Sequence, residues 1–193
     1  MFELYNTTVQ KKLTYSDYAA VDDGYRYELI NGELIMVPGP SSFHQRINKK
    51  LLLILDEFIE SNSLGELFIP PMDVVLDDNN TFQPDIFIIL HENISKIKEN
   101  AIYGAPDFVV EIISPSSVIN DRHKKKELYE KFGVKEYWIV DIKNETVEVF
   151  QNNNFHFELF SYVYQKGKIL SNLFPELDIT IESIFPDFKL KLK

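Results

Sequence analysis

Apolar residues recur at helical spacing in one long stretch of this chain, and elsewhere they form short runs. The helical stripe consists of Phe43, Ile47, Leu51, Ile54 and Phe58. A serine just before such a stripe can accept a hydrogen bond from a free backbone N–H of the first turn. The pattern therefore predicts an amphipathic helix that begins at Ser41 or Ser42 and ends near residues 62–65.

An N-terminal β-hairpin is predicted over residues 25–37, where the chain can turn at Asn31-Gly32. This dipeptide is the strongest signal for a two-residue turn. Such a turn would place Glu28 and Glu33 on the same face of the hairpin, because paired residues share a face. We expect Glu28 to face solvent.

Strands and a helix alternate in the middle of the chain. Residues 72–76 read as a strand that turns at residues 77–80 into the strand after Asp85. Residues 106–141 then contain a strand, a helix and a second strand. This length fits a βαβ crossover, so its two strands should be parallel.

Two further hairpins are predicted toward the C-terminus. Strands over residues 146–150 and 155–164 follow turns near residues 143–145 and 152–154. These hairpins would extend the sheet with antiparallel strands. The fold class is therefore α/β, with a mixed sheet flanked by helices, and we expect residues 1–193 to form one domain.

Two carboxylates lie in runs so apolar that each run should be a buried strand. Asp85 opens one run and Glu111 lies within the next. Unpaired charges there would cost several kcal/mol, so a cation should meet them. Asp107 lies four residues from Glu111, about 13 Å along a strand, which is too far to share an ion. Asp85 can reach Glu111 from a neighbouring strand, and the pair predicts a metal site; alternatively, Asp85 caps a turn and Glu111 pairs with a lysine.

The lysine nearest this pair can be chosen by helical phase. On a helix from about residue 121 to residue 132, Leu128 and Tyr129 belong to the inward stripe. Lys125 lies three and four positions before them, so it continues this stripe toward the strand ends. Lys124 and Lys126 lie to either side and should face solvent.

Six motifs in order resemble those of the Uma2 family, which belongs to the restriction-endonuclease-like, PD-(D/E)XK superfamily. They are YELINGE at residues 27–33, HQRI at 44–47, PD at 84–85, VEIISPS at 110–116, Asp121 with Lys125 and Tyr129, and GVKEYWIVD at 133–141. The resemblance spans roughly residues 12–190. It implies a restriction-endonuclease-like fold.

The resemblance also implies a metal-dependent endonuclease that hydrolyses phosphodiester bonds in nucleic acid, in DNA rather than RNA. Asp85 and Glu111 would hold Mg²⁺ or Mn²⁺ together with the backbone carbonyl of Ile112. Lys125 would position the attacking water and stabilise charge at phosphorus. The superfamily expects a lysine two positions after the second acid, where this chain has Ile113, so Lys125 would replace it from the following helix.

Two accessory residues follow from the same resemblance. His44, in the first turn of its helix, would contact a phosphate or orient a water. Glu33 would be an additional acid near the metal. Without the resemblance, each would be read as a polar surface residue.

Charge and composition limit the partners. The chain has 30 acidic and 20 basic residues, for a formal net charge of −10, so its average field repels a polyanion and only local patches could bind nucleic acid. It has no cysteine, which excludes thiol catalysis and agrees with a reducing cytoplasm. No apolar run approaches the ~18 residues of a membrane span. We therefore expect a cytoplasmic protein.

Two other functions stay open, and so does the oligomeric state. The chain could be a non-catalytic binding or assembly module, or a hydrolase of a small phosphorylated molecule. Its 15 Phe and 10 Tyr residues, and the aromatic strand near residues 155–162, suggest an exposed sheet edge. We expect a homodimer through that edge, unless residues 179–188 cover it.

Overall fold

The fold is described from a computed structural model of the chain over residues 11–113 and 120–185. The helices are α1 Tyr15–Ala19, α2 Ser42–Ser61, α3 Lys126–Phe132 and α4 Ile181–Ile184. The strands are β1 Tyr27–Ile30, β2 Glu33–Met36, β3 Gly65–Phe68, β4 Asp73–Asp77, β5 Asn80–Phe82, β6 Ile86–Leu90, β7 Ala101–Tyr103, β8 Phe108–Ile113, β9 Glu136–Asp141, β10 Thr146–Asn152, β11 Phe157–Tyr164, β12 Lys168–Ile169 and β13 Ile179–Thr180. A 3-10 helix over His91–Lys96 follows β6, and a π-helix over Asn120–Lys125 leads into α3.

The main sheet has six strands in the order β11-β10-β9-β8-β6-β3. β8 and β9 pair in parallel, and the other neighbours pair antiparallel. The parallel pair is joined by a long connection that contains α3, as the crossover predicted from the sequence requires. The sheet is therefore mixed, as predicted, and β11 lies at its outer edge.

A second sheet has five strands in the order β2-β1-β5-β4-β7. Its β1–β2 hairpin has the predicted register, with Glu28 opposite Ile35. Asn31 and Gly32 have φ angles of 53° and 82°, and a type I′ turn needs positive φ at both positions. A side chain at Gly32 would place its Cβ 2.6 Å from the Cβ of Lys12, so this turn also needs glycine for space.

The connection after β4 differs from the sequence prediction. The chain turns after Asp77 into β5, which pairs with β1 in the second sheet, and only then enters β6 of the main sheet. The turn is tight because Asp77 Oδ1 accepts hydrogen bonds from the N–H of Asn79 at 2.9 Å and from Asn80 Nδ2 at 2.8 Å. The chain therefore crosses between the two sheets at residues 83–85, immediately before β6.

The main sheet buries apolar side chains on both faces. On one face they pack against α2 and α4, and on the other against α3 and the second sheet. α2 is capped by Ser41, whose hydroxyl accepts a hydrogen bond from the N–H of His44 at 3.2 Å. Its buried stripe is Ile47, Leu51, Leu55 and Ile59, whereas two residues of the predicted stripe, Ile54 and Phe58, are partly buried. No helix in the described residues is long and apolar enough to span a bilayer.

The helix that carries Lys125 has two parts. The sequence predicts one helix to residue 132, but the described chain is π-helical over Asn120–Lys125 and α-helical only from Lys126. A π-turn is wider than an α-turn and often marks a functional site. The helix ends as expected at Gly133, which has a left-handed φ of 82°, and the N–H of Val134 donates to the carbonyl of Tyr129 at 3.0 Å.

Candidate active site

A cavity of about 730 Å³ opens where the two sheets meet. The first residues of α2 and the loop after β2 form one side of it, and the segment after β3 contributes to its wall. His44, Asp85, Glu111, Ile112 and Lys125 all line it. The structure therefore brings together five of the six site residues that were expected from the sequence.

Asp85 lies one residue before β6, where the chain crosses between the sheets. The antiparallel register pairs Ile86 with Val110, so Asp85 is placed opposite Glu111 on the neighbouring strand. Its Oδ2 accepts the N–H of Ile112 at 2.8 Å and lies 3.1 Å from Nε2 of His44. Asp85 is thus held by β8 and by the first turn of α2.

Glu111 is almost fully buried, with 4% of its side chain exposed. Its Oε1 accepts hydrogen bonds from Lys125 Nζ at 3.1 Å and from the hydroxyl of Tyr129 at 2.9 Å. Burial raises the pKa of the Tyr129 hydroxyl well above its usual range, and the charge of Glu111 raises it further. Tyr129 therefore stays protonated and donates to the carboxylate.

Lys125 points inward, as the helical phase predicts. Its side chain is 6% exposed, and its Nζ lies 2.7 Å from Glu28 and 3.1 Å from Glu111. Lys124 and Lys126 are partly exposed. The ammonium of Lys126 lies 3.7 Å from the ring centre of Phe150, and burial lowers the pKa of Lys126.

The expectation that Glu28 faces solvent is wrong. Its side chain is 6% exposed, lines the cavity and pairs with Lys125. The face of β1 that carries Glu28 meets Lys125 and the N–H of Gln83, so this face of the hairpin is covered. The signal was present in the sequence, because Glu28 precedes the apolar pair Leu29-Ile30 just as Glu111 lies in an apolar strand.

Glu33 is not brought to this site. It is exposed at the start of β2, opposite Ile30, and it does not line the cavity. It shares a face with Glu28, as predicted, but it lies at the turn end of the hairpin. Of the two hairpin acids, Glu28 therefore lines the cavity and Glu33 does not.

A polar network next to Asp85 was missed by sequence reasoning. Gln83 Nε2 donates to Asp73 Oδ1 at 2.9 Å, and the hydroxyl of Tyr18 donates to the same oxygen at 2.8 Å. The carbonyl oxygen of the Gln83 side chain accepts from Arg26 Nη2 at 2.9 Å. Burial and the charge of Asp73 raise the pKa of Tyr18. The network fixes residues 83–85 between α1 and the second sheet.

Charge at the cavity is unbalanced. Among the described residues that line it, Glu28, Asp85 and Glu111 are acids, Lys125 is the buried base, and Arg26 is exposed. Three carboxylates beside one buried ammonium are costly without a further cation. Carboxylate and carbonyl oxygens are the ligands that Mg²⁺ and Mn²⁺ prefer, so the donor set fits these ions chemically. In the described part of the chain, no three His, Asp or Glu side chains are arranged together as ligands of one ion.

Two cationic segments adjoin the cavity. Residues 44–50 and 122–126 contain seven Arg or Lys residues and no acid. His44 and Lys125, one from each segment, line the cavity. These segments place basic side chains beside the acids of the cavity; Lys125 pairs with Glu28 and Glu111, and Arg122 pairs with Asp141 and Glu148.

The architecture is similar to that of a solved structure from Anabaena variabilis, described as a "putative nuclease belonging to DUF820". The TM-score is 0.74 at 21% sequence identity, over 90% of this chain and 97% of that chain. The protein thus has the same α/β fold as that structure, with a mixed sheet flanked by helices, as the sequence predicted.

The chain belongs to the Uma2 family, described as "Putative restriction endonuclease", whose sequence model matches residues 14–182. The matched range includes Glu28, Asp85, Glu111 and Lys125. The uncharacterized protein sll1609 of Synechocystis is 27% identical over 128 residues, which are 64% of this chain and 71% of that protein. The resemblance recognised in the sequence is confirmed.

Proposed function

We propose that this protein is a metal-dependent phosphodiester hydrolase that acts on nucleic acid. The observation that carries the proposal is the cluster of Glu28, Asp85 and Glu111 around Lys125 on the wall of one cavity. Buried acids that meet in a cavity with a single lysine are typical of a functional site. Membership of the Uma2 family, described as "Putative restriction endonuclease", supports this reaction class.

Asp85 and Glu111 would hold Mg²⁺ or Mn²⁺, with the carbonyl of Ile112 as a third ligand. When bound, the ion would polarise the scissile phosphate and lower the pKa of a water molecule. Asp85 keeps its orientation because the N–H of Ile112 and the ring of His44 hold Oδ2. Its other oxygen, Oδ1, has no hydrogen-bond partner among the described residues and can bind a cation.

Lys125 would supply positive charge where negative charge develops at phosphorus. Its ammonium already lies between Glu28 and Glu111, so it needs little rearrangement to do so. Tyr129 would hold Glu111 through the hydrogen bond that its hydroxyl donates to Oε1. The raised pKa of Tyr129 keeps this hydroxyl protonated. His44 would orient Asp85 and adjoin the phosphate at the start of α2.

The substrate we propose is nucleic acid, and DNA is favoured over RNA. The cationic segments at residues 44–50 and 122–126 can attract phosphates locally, although the whole chain carries a charge of −10. The family description, a restriction endonuclease, favours DNA. A small phosphorylated substrate would not need the two segments.

We also propose that the protein is a homodimer. The outer edge of the main sheet is β11, whose exposed side chains include Leu159, Phe160, Tyr162 and Tyr164. In the described chain, Ile181 and Ile184 of the C-terminal segment pack in the core with α2, and these β11 side chains stay exposed. An exposed apolar edge favours association with another strand.

The test is cleavage of labelled oligonucleotides in Mn²⁺ by the wild-type protein, Glu111→Gln and Glu57→Gln. Glu57 is an exposed residue of α2 away from the cavity, so its variant should cleave like the wild type. Glu111→Gln should lose more than about a hundredfold in rate. Equal rates for the wild type and Glu111→Gln would contradict the proposal.

Metal binding can be tested separately from cleavage. Millimolar Mn²⁺ should raise the unfolding temperature of the wild type, because a ligand that binds only the folded state stabilises it. Asp85→Asn should lose this shift. A shift without cleavage of any substrate would favour the non-catalytic binding module.

A further inference from the structure

Two of the three acids of the proposed site and its lysine are almost fully buried, and the third acid, Asp85, is 18% exposed. The side chains of Glu28 and Lys125 are each 6% exposed, and that of Glu111 is 4% exposed. A phosphate can meet them only by entering the cavity of about 730 Å³. An intact duplex is stiff over lengths far larger than this cavity, so one of its phosphates can reach the floor only if the duplex bends or unpairs. Enzymes that do chemistry on a base inside a pocket take that nucleotide out of the stack or use single strands, and we expect the same constraint for a phosphate at the floor of this cavity.

The rim of the same cavity is apolar. Met36, at the end of β2, and Ile69, after β3, line the cavity and are 55% and 41% exposed. Pro38, Pro40 and Pro71 line it as well. Apolar side chains from two separate segments converge here beside charged groups, and such a combination fits a ligand with a flat apolar part and an anionic part.

Two lysines are adjacent in the sequence to residues that line the cavity. Lys49 follows Asn48, and Lys124 precedes Lys125, and both Asn48 and Lys125 line the cavity. Neither Lys49 nor Lys124 forms an ion pair within the described part of the chain, so both ammonium groups can contact phosphates. A strand that passes through the cavity could have its flanking phosphates neutralised on two sides.

From these three observations we propose that the cavity accepts an unpaired nucleotide of a nucleic-acid strand, with its base against Met36 and Ile69 and its phosphate at the buried acids. This inference rests on the proposed function and adds the form of the substrate. An unpaired nucleotide offers both its base and its phosphate, whereas a base pair exposes only the edges of its bases.

The experiment compares initial cleavage rates in Mn²⁺ for one DNA sequence as a single strand and as a duplex, with a single-stranded RNA and a mononucleotide as further substrates. We expect the DNA single strand to be cleaved at least about tenfold faster than the duplex. Equal rates, or a faster duplex, would overturn the inference and leave the nuclease proposal intact. Failure to cleave any strand would overturn both, and hydrolysis of the mononucleotide alone would indicate a small-molecule hydrolase.

A variant series tests the rim directly. Met36→Ser and Ile69→Ser should each raise KM for the single strand by about tenfold with little change in kcat, since the base contact is lost and the acids are untouched. Leu53→Ser removes an exposed apolar residue of α2 that does not line the cavity and should leave both values unchanged. All three residues are exposed, so unfolding temperatures should stay near that of the wild type. An unchanged KM in both rim variants would overturn the proposed base contact.

Discussion

At the scale of single residues, the site depends on how one ammonium is shared. Lys125 is within 3.1 Å of two glutamates, and both are nearly buried. A buried charge that loses its partner costs much more than a buried pair contributes. Lys125 is therefore expected to matter for stability as well as for catalysis.

Replacing Lys125 by Met should have a different effect from replacing its neighbour Lys124 by Met. We expect Lys125→Met to lose about 3–5 kcal/mol of unfolding free energy, because Glu28 and Glu111 remain buried without their cation. Lys124→Met should lose less than about 0.5 kcal/mol. Urea unfolding at neutral pH measures both. The kcat for cleavage of oligonucleotides should fall in Lys125→Met and stay near the wild-type value in Lys124→Met. The reverse result would show that the predicted helical phase is wrong.

The raised pKa of Tyr129 predicts that the free energy of unfolding depends on pH in the alkaline range. Its pKa is raised above the unfolded value of about 10, so its stabilising contribution is complete below pH 10 and is lost as the pH rises through the folded-state pKa. Tyr129→Phe should cost about 1–2 kcal/mol at pH 7, where the hydrogen bond to Glu111 is lost. Above pH 10 the gap should narrow, because the variant has no hydroxyl to titrate. Urea unfolding between pH 7 and pH 11 tests this, and a constant gap would contradict it.

At the scale of elements, the sequence predicts best where local pattern and tertiary contacts agree. The Asn31-Gly32 hairpin, the parallel pair β8 and β9, and the cap at Gly133 are confirmed. β5 was missed because three residues carry too little pattern, and its pairing with β1 is a long-range contact. The π-helix before Lys126 was missed because helical periodicity does not distinguish it from an α-helix over six residues.

The residues of the cavity differ in how clearly the sequence indicates their burial. Asp85, Glu111 and Lys125 could be placed at the cavity from the sequence because Asp85 opens an apolar run, Glu111 lies within one, and Lys125 continues an apolar stripe of its helix. Glu28 was placed in solvent because a hairpin alone does not show which of its faces the rest of the molecule will cover. Its contacts are with Lys125 and with the N–H of Gln83, both far from it in the sequence.

Gly32 in the β1–β2 turn and Gly24 before β1 form a matched pair of glycines. Gly32 and Gly24 have φ of 82° and 80°, but a Cβ at Gly32 would meet Lys12, whereas a Cβ at Gly24 meets nothing within 4 Å. Both alanine variants should lose about 1–2 kcal/mol through the left-handed backbone. Gly32→Ala should lose more, since Lys12 must also move. Equal losses in thermal unfolding would show that the contact with Lys12 is unimportant.

At the scale of the whole molecule, the two sheets are joined at residues 83–85 and again through the Glu28–Lys125 pair. The cavity lies along this junction, so the site is a property of both sheets together. The other end of the main sheet, at β11, is open. We therefore expect the junction between the sheets to carry the proposed catalytic activity, and the open β11 edge to carry the proposed association of two chains.

The association is tested by light scattering at micromolar concentration. We expect a mass near twice the 22.6 kDa of one chain. Tyr162→Lys places a charge on the β11 edge and should give monomers, because edge lysines oppose strand pairing. Tyr103→Lys, a similarly exposed tyrosine on β7 of the second sheet, should leave the mass unchanged. A wild-type mass near that of one chain would remove the dimer.

The junction at residues 83–85 also has a consequence during synthesis. Glu28, Asp85, Glu111 and Lys125 are distributed over about a hundred positions of the chain and come from both sheets. A nascent chain on the ribosome has no assembled site until Lys125 has emerged and the second sheet has docked on the first. For most of its synthesis, the chain therefore lacks the complete set of residues that the proposed cleavage of nucleic acid would need.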